Sequence, residues 1–226
     1  MIKAILTIDD IPQNNTRAIV DYLVSKNIKA VLFAIGDALD RNPENALYAI
    51  SKGFVIGNHT YTHPMLSKMS YEEAVEEVEK CEKAIENVYA KAGVQRPVKL
   101  FRFPYLDSRK DLNQYLLDHG FKKVDDSDII NDWYISSGWK EEDHVSVSFD
   151  CEEYLLRPGN DKTFQSILDS IDDAFGKDKR DQTHIILTHS HDETEEMESE
   201  YYRKIVERVE YNGAVFIDPT FIVPGA

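Results

Sequence analysis

Cysteine is nearly absent, with Cys81 and Cys151 the two among 226 residues. Two thiols cannot build a disulfide framework. Cys81 falls on the apolar stripe of a helical pattern and reads as a core residue. There is no run of about eighteen apolar residues, so nothing reads as a membrane span. No linker, repeat or low-complexity segment interrupts the chain. Basic residues are in deficit, 26 Lys and Arg against 41 Asp and Glu, which leaves a net charge of -15 and a pI near 4.8. Such a field repels phosphate backbones and argues against nucleic acid as a partner, while a neutral or cationic small molecule or a neutral glycan is compatible. Met1 to Leu6 run straight into an apolar stretch. With no charged n-region, long h-region or small-residue cleavage site, the expectation is a cytoplasmic protein, and a chain trimmed of its leader would read the same way.

What is present is enough apolar matter, 42% of residues, for one substantial core and a single domain over residues 1–226. Short apolar runs alternate with helical patterns. Strands are expected at Ile2–Ile8, Ala30–Ala34, Phe54–Ile56, Leu100–Phe101, Val145–Phe149, Ile185–Leu187 and Ala214–Ile217. Helices are expected near Thr16–Lys26, Pro43–Lys52, Tyr71–Ala92, Leu112–His119, Phe164–Phe175 and Glu200–Tyr211. Ser70 with Glu73 forms a capping-box signature. Ala74, Val78, Cys81, Ile85, Val88 and Ala92 then recur at helical steps, and Gly93 follows as a stop. Strands alternating with helices argue for an α/β fold with a parallel sheet. An open doubly wound sheet and a (β/α) barrel both fit.

The chemistry-bearing residues collect at strand ends. Asp9-Asp10 follow the first strand, His59 and His63 the third, Arg102 the fourth, and His189 the strand at Ile185–Leu187. In a parallel α/β protein these carboxyl ends share a face. His59-x-x-x-His63 has metal-ligand spacing, since four residues make about one helical turn, but a lone pair of this kind is weak. Neighbouring acids can share a site only where the strand has ended, and Ile11-Pro12 marks that end. Arg102 can hold a carboxylate bidentately, or lie on the surface beside a proline turn. The acids from Asp125 to Asp132 lack the pattern of a calcium loop. His189 is a candidate acid or base, with His191 its competitor.

Together these pieces resemble the NodB-like polysaccharide deacetylases, the fourth family of carbohydrate esterases. Five ordered motifs carry the resemblance: Thr7-Ile8-Asp9-Asp10, His59-Thr60-Tyr61-Thr62-His63, Arg102-Phe103-Pro104-Tyr105, Asp132-Trp133, and Leu187-Thr188-His189. One departure is Ile11, where the family usually has glycine. Another is the long stretch between Asp132 and Leu187, for which the family pattern gives no reading. The resemblance implies a distorted (β/α) barrel of about seven parallel strands. It implies one divalent metal, zinc above all, on Asp10, His59 and His63. It further implies Asp9 as base, His189 as acid, Arg102 orienting Asp9, and Asp132 tuning His189. The Tyr105 backbone N–H would hold an oxyanion, and Trp133 and Leu187 would line the groove. The implied activity is hydrolytic removal of acetyl groups from N-acetylated sugars. The competing readings are an O-acetyl glycan esterase, an amidohydrolase on a small cyclic amide, and a carbohydrate-binding protein with a decayed site.

Overall fold

The computed structural model describes residues 1–139, 144–177 and 180–224. Its centre is a six-stranded parallel sheet. The strands are β1 (Ile2–Ile11), β2 (Ala30–Ala34), β3 (Val55–Asn58), β5 (Phe149–Asp150), β6 (Gln182–His189) and β7 (Val215–Phe216). Their order is β3-β2-β1-β6-β5, with β7 paired to the start of β1. Leu100 and Phe101 form single parallel bridges, to Lys122 and Asn58 respectively. These lead on to β4 (Lys123–Val124), which pairs antiparallel with β8 (Phe221–Ile222). The Ser146 hydroxyl donates to the Val124 carbonyl at 3.3 Å, drawing the far side of this curved sheet toward the segment before β5. The result is a distorted barrel.

Alternation along the strands decides what faces in. Ala4, Leu6 and Ile8 of β1 pack with the helices, as do Leu32, Ala34 and Ile186. Ile5, Val31, Phe33, Leu100, Val124 and Ile185 form a separate inner cluster. Side chains two apart share a face. Asp9 therefore continues the Ile5–Thr7 series, and His189 continues Ile185–Leu187. Both rise from the barrel interior at the carboxyl end, where the register pairs Asp9 with His189.

Around the sheet lie α1 (Thr16–Ser25), α2 (Gly36–Arg41), α3 (Glu44–Ser51), α4 (Tyr71–Ala92), α5 (Lys110–Asp118), α6 (Asp132–Ser136), α7 (Phe164–Ile171), α8 (Asp192–Met197) and α9 (Tyr201–Tyr211). α4 forms for the reasons its sequence announces. Glu73 N–H donates to Ser70 Oγ at 3.2 Å, and Ser70 N–H donates back to Glu73 Oε2 at 2.8 Å. Val78, Cys81, Ile85 and Val88 are buried on one face. Each aliphatic among them contributes on the order of 1.5–3 kcal/mol. Gly93 ends the helix at φ 65°, a left-handed position natural to glycine. Both cysteines are free and buried.

The strands expected at Val145–Phe149 and Ala214–Ile217 are shorter than the pattern suggests, and the second holds Val215 and Phe216. Val145 and Val147 are buried, yet the ladder holds Phe149 and Asp150 only. α2, six residues long, had no periodicity to reveal it. No helix among the described residues is long and apolar enough to cross a membrane.

Candidate metal and catalytic centre

Asp9 and Asp10 open into the same cavity because β1 is bulged. Its register with β2 shifts between Ile8 and Ile11, and Asp10 sits at φ 65°. A regular strand would part the two carboxylates, whereas a bulge re-aims one of them. The strand therefore does not end at the aspartates. It runs on to Ile11, whose side chain is fully buried and whose carbonyl accepts the Ile35 N–H at 2.9 Å. At this position, where the resembled family usually carries glycine, the isoleucine serves the core rather than the cavity rim.

His59 and His63 are carried by a braced turn, not by a helix. Thr60 and His63 are both left-handed, at φ 65° and 60°. Thr60 N–H donates to Asn58 Oδ1 at 2.9 Å, and His63 N–H donates to Thr60 Oγ1 at 3.1 Å. From α4, the Glu77 carboxylate accepts the N–H groups of Tyr61 and Thr62 at 3.0 and 2.7 Å. Behind the turn, a side chain at Gly57 would put its Cβ 2.6 Å from the Phe33 ring, so only glycine lets β3 lie this close.

The three candidate ligands suit a cation. Asp10, His59 and His63 offer ligand atoms all within 4.8 Å of one another. His59 Nδ1–H donates to the Arg102 carbonyl at 2.9 Å, which leaves the Nε2 lone pair facing Asp10. Burial pushes both imidazoles down to about 4, so both are neutral near pH 7. Burial alone would raise Asp10, but the His191 hydrogen bond and the nearby histidines hold it well below the usual carboxylate range. Asp10 Oδ1 lies 3.5 Å from His59 Nε2 and 3.4 Å from His63 Nε2, and it is buried without a hydrogen-bond partner. Two neutral imidazoles and an orphaned carboxylate oxygen form the donor set that a divalent ion such as zinc takes, with positions left for other ligands.

Beside this set lie two more titratable groups, Asp9 and His189, both with shifted pKa values. Asp9 is buried against Arg102, whose Nη1 donates to Asp9 Oδ1 at 3.1 Å and to Thr7 Oγ1 at 2.8 Å. Burial raises Asp9 to about 6 against the pull of that guanidinium. His189 Nδ1 lies 3.1 Å from Glu153 Oε1, and the same oxygen accepts from Thr188 Oγ1 at 2.7 Å and from the His189 N–H. Burial alone would lower His189, but Glu153 outweighs it and the imidazole rises to about 10. Glu153 is itself held below the usual glutamate range: burial opposes this, and His189 prevails. The cavity that gathers these groups measures about 440 Å³ and is also lined by Tyr105, Tyr154, Arg157 and Leu187.

The family model for polysaccharide deacetylase matches residues 2–124. The chain belongs to the polysaccharide deacetylase family. It is 31% identical over 129 residues to the peptidoglycan-N-acetylglucosamine deacetylase of Bacillus cereus, covering 57% of this chain and 45% of that protein. It is 32% identical over 143 residues to chitin deacetylase 1 of Cryptococcus neoformans, covering 59% of this chain and 29% of that protein. The chain thus spans less than half the length of these curated relatives. In fold, it resembles the Bc1960 peptidoglycan N-acetylglucosamine deacetylase at a TM-score of 0.70 and 22% identity, covering 96% of this chain and 85% of that one. It likewise resembles a family 4 carbohydrate esterase from Streptomyces lividans, at a TM-score of 0.66 and 19% identity, covering 98% and 97%.

Within this polysaccharide deacetylase domain, Asp9, Asp10, His59, His63, Tyr105, Leu187 and His189 meet at one cavity, with Arg102 buried beneath. Asp132 and Trp133 do not join them. Asp132 is exposed at the start of α6, and Trp133, 48% exposed, packs edge-on against Trp139. Both border a separate pocket with Gln182 and His184, at the amino end of β6. The seven strand steps from Gln182 to His189 span about 23 Å at ~3.3 Å each, too far for Asp132 to tune His189. Glu153 has that place instead. It stands in a single helical turn, Glu153–Leu155, just past the end of β5. A faint signal was available: an acid followed by Tyr154-Leu155-Leu156, shortly after an apolar strand pattern. His191 does not compete for the role of His189, because its Nε2 lies 2.6 Å from Asp10 Oδ2.

Proposed function

We propose that this protein is a metal-dependent deacetylase, a hydrolase of carbon–nitrogen bonds other than peptide bonds, acting on N-acetylated sugars of the N-acetylglucosamine type. Zinc is the proposed ion. The observation that carries the reading is the pairing, in one cavity, of two neutral imidazoles and the ionised Asp10 with a buried carboxylate and a charged histidine. The curated relatives named for peptidoglycan and chitin deacetylation support the substrate class.

Asp10, His59 and His63 would hold the ion, which when bound supplies Lewis acidity and lowers the pKa of water beside it. Asp9, with its proton affinity raised to about 6, accepts the proton of the water that attacks the acetamide carbonyl. Arg102 fixes the orientation of Asp9 from below. The Tyr105 backbone N–H faces the developing oxyanion, and Leu187 packs beside the acetyl methyl. His189, kept protonated by Glu153, delivers its proton to the departing amine. An amine is a poor leaving group unless protonated, and a histidine raised to about 10 keeps that proton available at neutral pH.

The deciding experiment measures acetate release by the purified protein from N- and O-acetylated sugars, and ring opening of a small cyclic amide, with added zinc and again with chelator. Chelator-sensitive acetate from N-acetylated sugars is expected. Zinc-loaded protein that releases acetate only from O-acetylated xylan would make it an esterase. Cleavage of the cyclic amide alone would place it among the other amidohydrolases.

A further inference from the structure

Asp10 has two oxygens with different surroundings. Oδ1 points at His59 and His63 and has no hydrogen-bond partner, whereas Oδ2 lies 2.6 Å from His191 Nε2. None of the five motifs that carry the family resemblance assigns a role to His191. We propose that His191 is a positioning residue for the metal ligand Asp10: its N–H fixes Oδ2 and so turns Oδ1 toward the two histidines. The proposal rests on the metal-site reading above.

The geometry supplies both the need and the means. The terminal torsion of an aspartate is broad, so an unanchored carboxylate would sweep its oxygens past the histidine pair. The anchor must itself be fixed, and His191 is. Its carbonyl accepts from Asn15 Nδ2 at 3.1 Å, and its N–H donates to the Tyr201 hydroxyl at 3.2 Å. Ser190 N–H donates to the Asp9 carbonyl at 3.0 Å. The Asp192 carboxylate accepts the N–H groups of Asn14 and Asn15 at 3.3 and 3.1 Å. Residues 190–192 are thus tied to the turn between β1 and α1, the turn that Asp10 leads into. The ring stacks on His189 at 5.1 Å between centroids. Since His191 Nε2 is engaged with Oδ2, it acts behind the ligand rather than as one. Outer partners of metal ligands orient them in this way, and their loss typically weakens metal binding about 10–100-fold.

The test measures zinc affinity of the full chain by competition with a chromogenic chelator, with no substrate present. His191→Ala is expected to weaken zinc binding about 10–100-fold while the metal-free protein melts as wild type does. His191→Gln, whose amide N–H can reach the same oxygen, is expected to restore near wild-type affinity. Wild-type affinity in His191→Ala would overturn the proposal and leave the metal site standing. Glutamine as weak as alanine would make His191 a ligand and overturn it as well. A wild-type protein that takes up no zinc would overturn the site reading and this one together.

Discussion

Two pairs of histidines face the cavity from opposite sides, and like residues meet opposite fates. On the β3 side, burial leaves His59 and His63 neutral, down at about 4. On the β6 side, His189 is just as buried, yet Glu153 raises it to about 10. The neighbour, not the burial, makes the difference. His59 turns one nitrogen to a backbone carbonyl and keeps a lone pair for a cation, whereas His189 turns one nitrogen to a carboxylate and keeps its charge. Environments that push like groups apart separate their roles: one pair suits ligation, while His189 suits proton delivery.

The contrast can be broken most severely from the ligand side. His59→Ala should lose stoichiometric zinc and reduce acetate release by more than the ~10–100-fold that loss of an outer partner brings, as read by metal content and turnover. Asp9→Asn should reduce turnover about 10²–10⁴-fold while zinc content stays at wild type. Loss of the metal in this variant would merge the two roles proposed for Asp9 and Asp10.

Glu153→Gln addresses the charged side. It should bring the His189 imidazole down toward its ordinary value, followed by NMR titration, and should harm amide substrates more than activated esters. It should also change stability against pH. A histidine raised from 6.5 to about 10 stabilises the fold fully below pH 6.5, and that contribution is lost as pH rises toward 10. Chelator-treated wild type should lose stability over this window in urea melts, and Glu153→Gln should flatten the loss. The smallest effect belongs to Asp132→Ala, at the far end of the barrel. Turnover should be unchanged, and stability should move by no more than about 0.5 kcal/mol. A hundredfold loss of turnover would put Asp132 back beside His189.

The legible parts of this molecule are those in which neighbours in sequence do the work. α4 shows its cap, stripe and stop within one segment. β1 and the shared face of Asp9-Asp10, His59, His63 and His189 announce themselves because parallel strands bring their carboxyl ends together, while the choice of Asp10, His59 and His63 as one set came from the resemblance of the motifs. The bulge at Asp10 was not legible, for register depends on the partner strand. Nor was the brace of Glu77, which reaches the histidine turn from a helix whose periodicity marks its apolar face and not its acids. Asp132-Trp133 matched a motif in letters, but the chain after β4 turns toward the amino end, where the Asp128 backbone carbonyl accepts the Thr183 N–H near the start of β6. The acid that serves His189 came from a segment without regular spacing. Sequence order located the strands' ends, and tertiary contact chose which carboxylate arrived there.

Arg102 is 0% exposed. Besides Asp9 and Thr7 it donates to the Ser146 carbonyl at 3.0 Å and lies 4.4 Å from the Phe33 ring centre. The same guanidinium therefore holds Asp9, the proposed base, and rivets three walls of the barrel. Retuning the reaction from below would unfasten the architecture, so the floor of this cavity is closed to variation. What the protein accepts is more open to change at the rim, where Tyr105, 63% exposed, lines the cavity from outside the core.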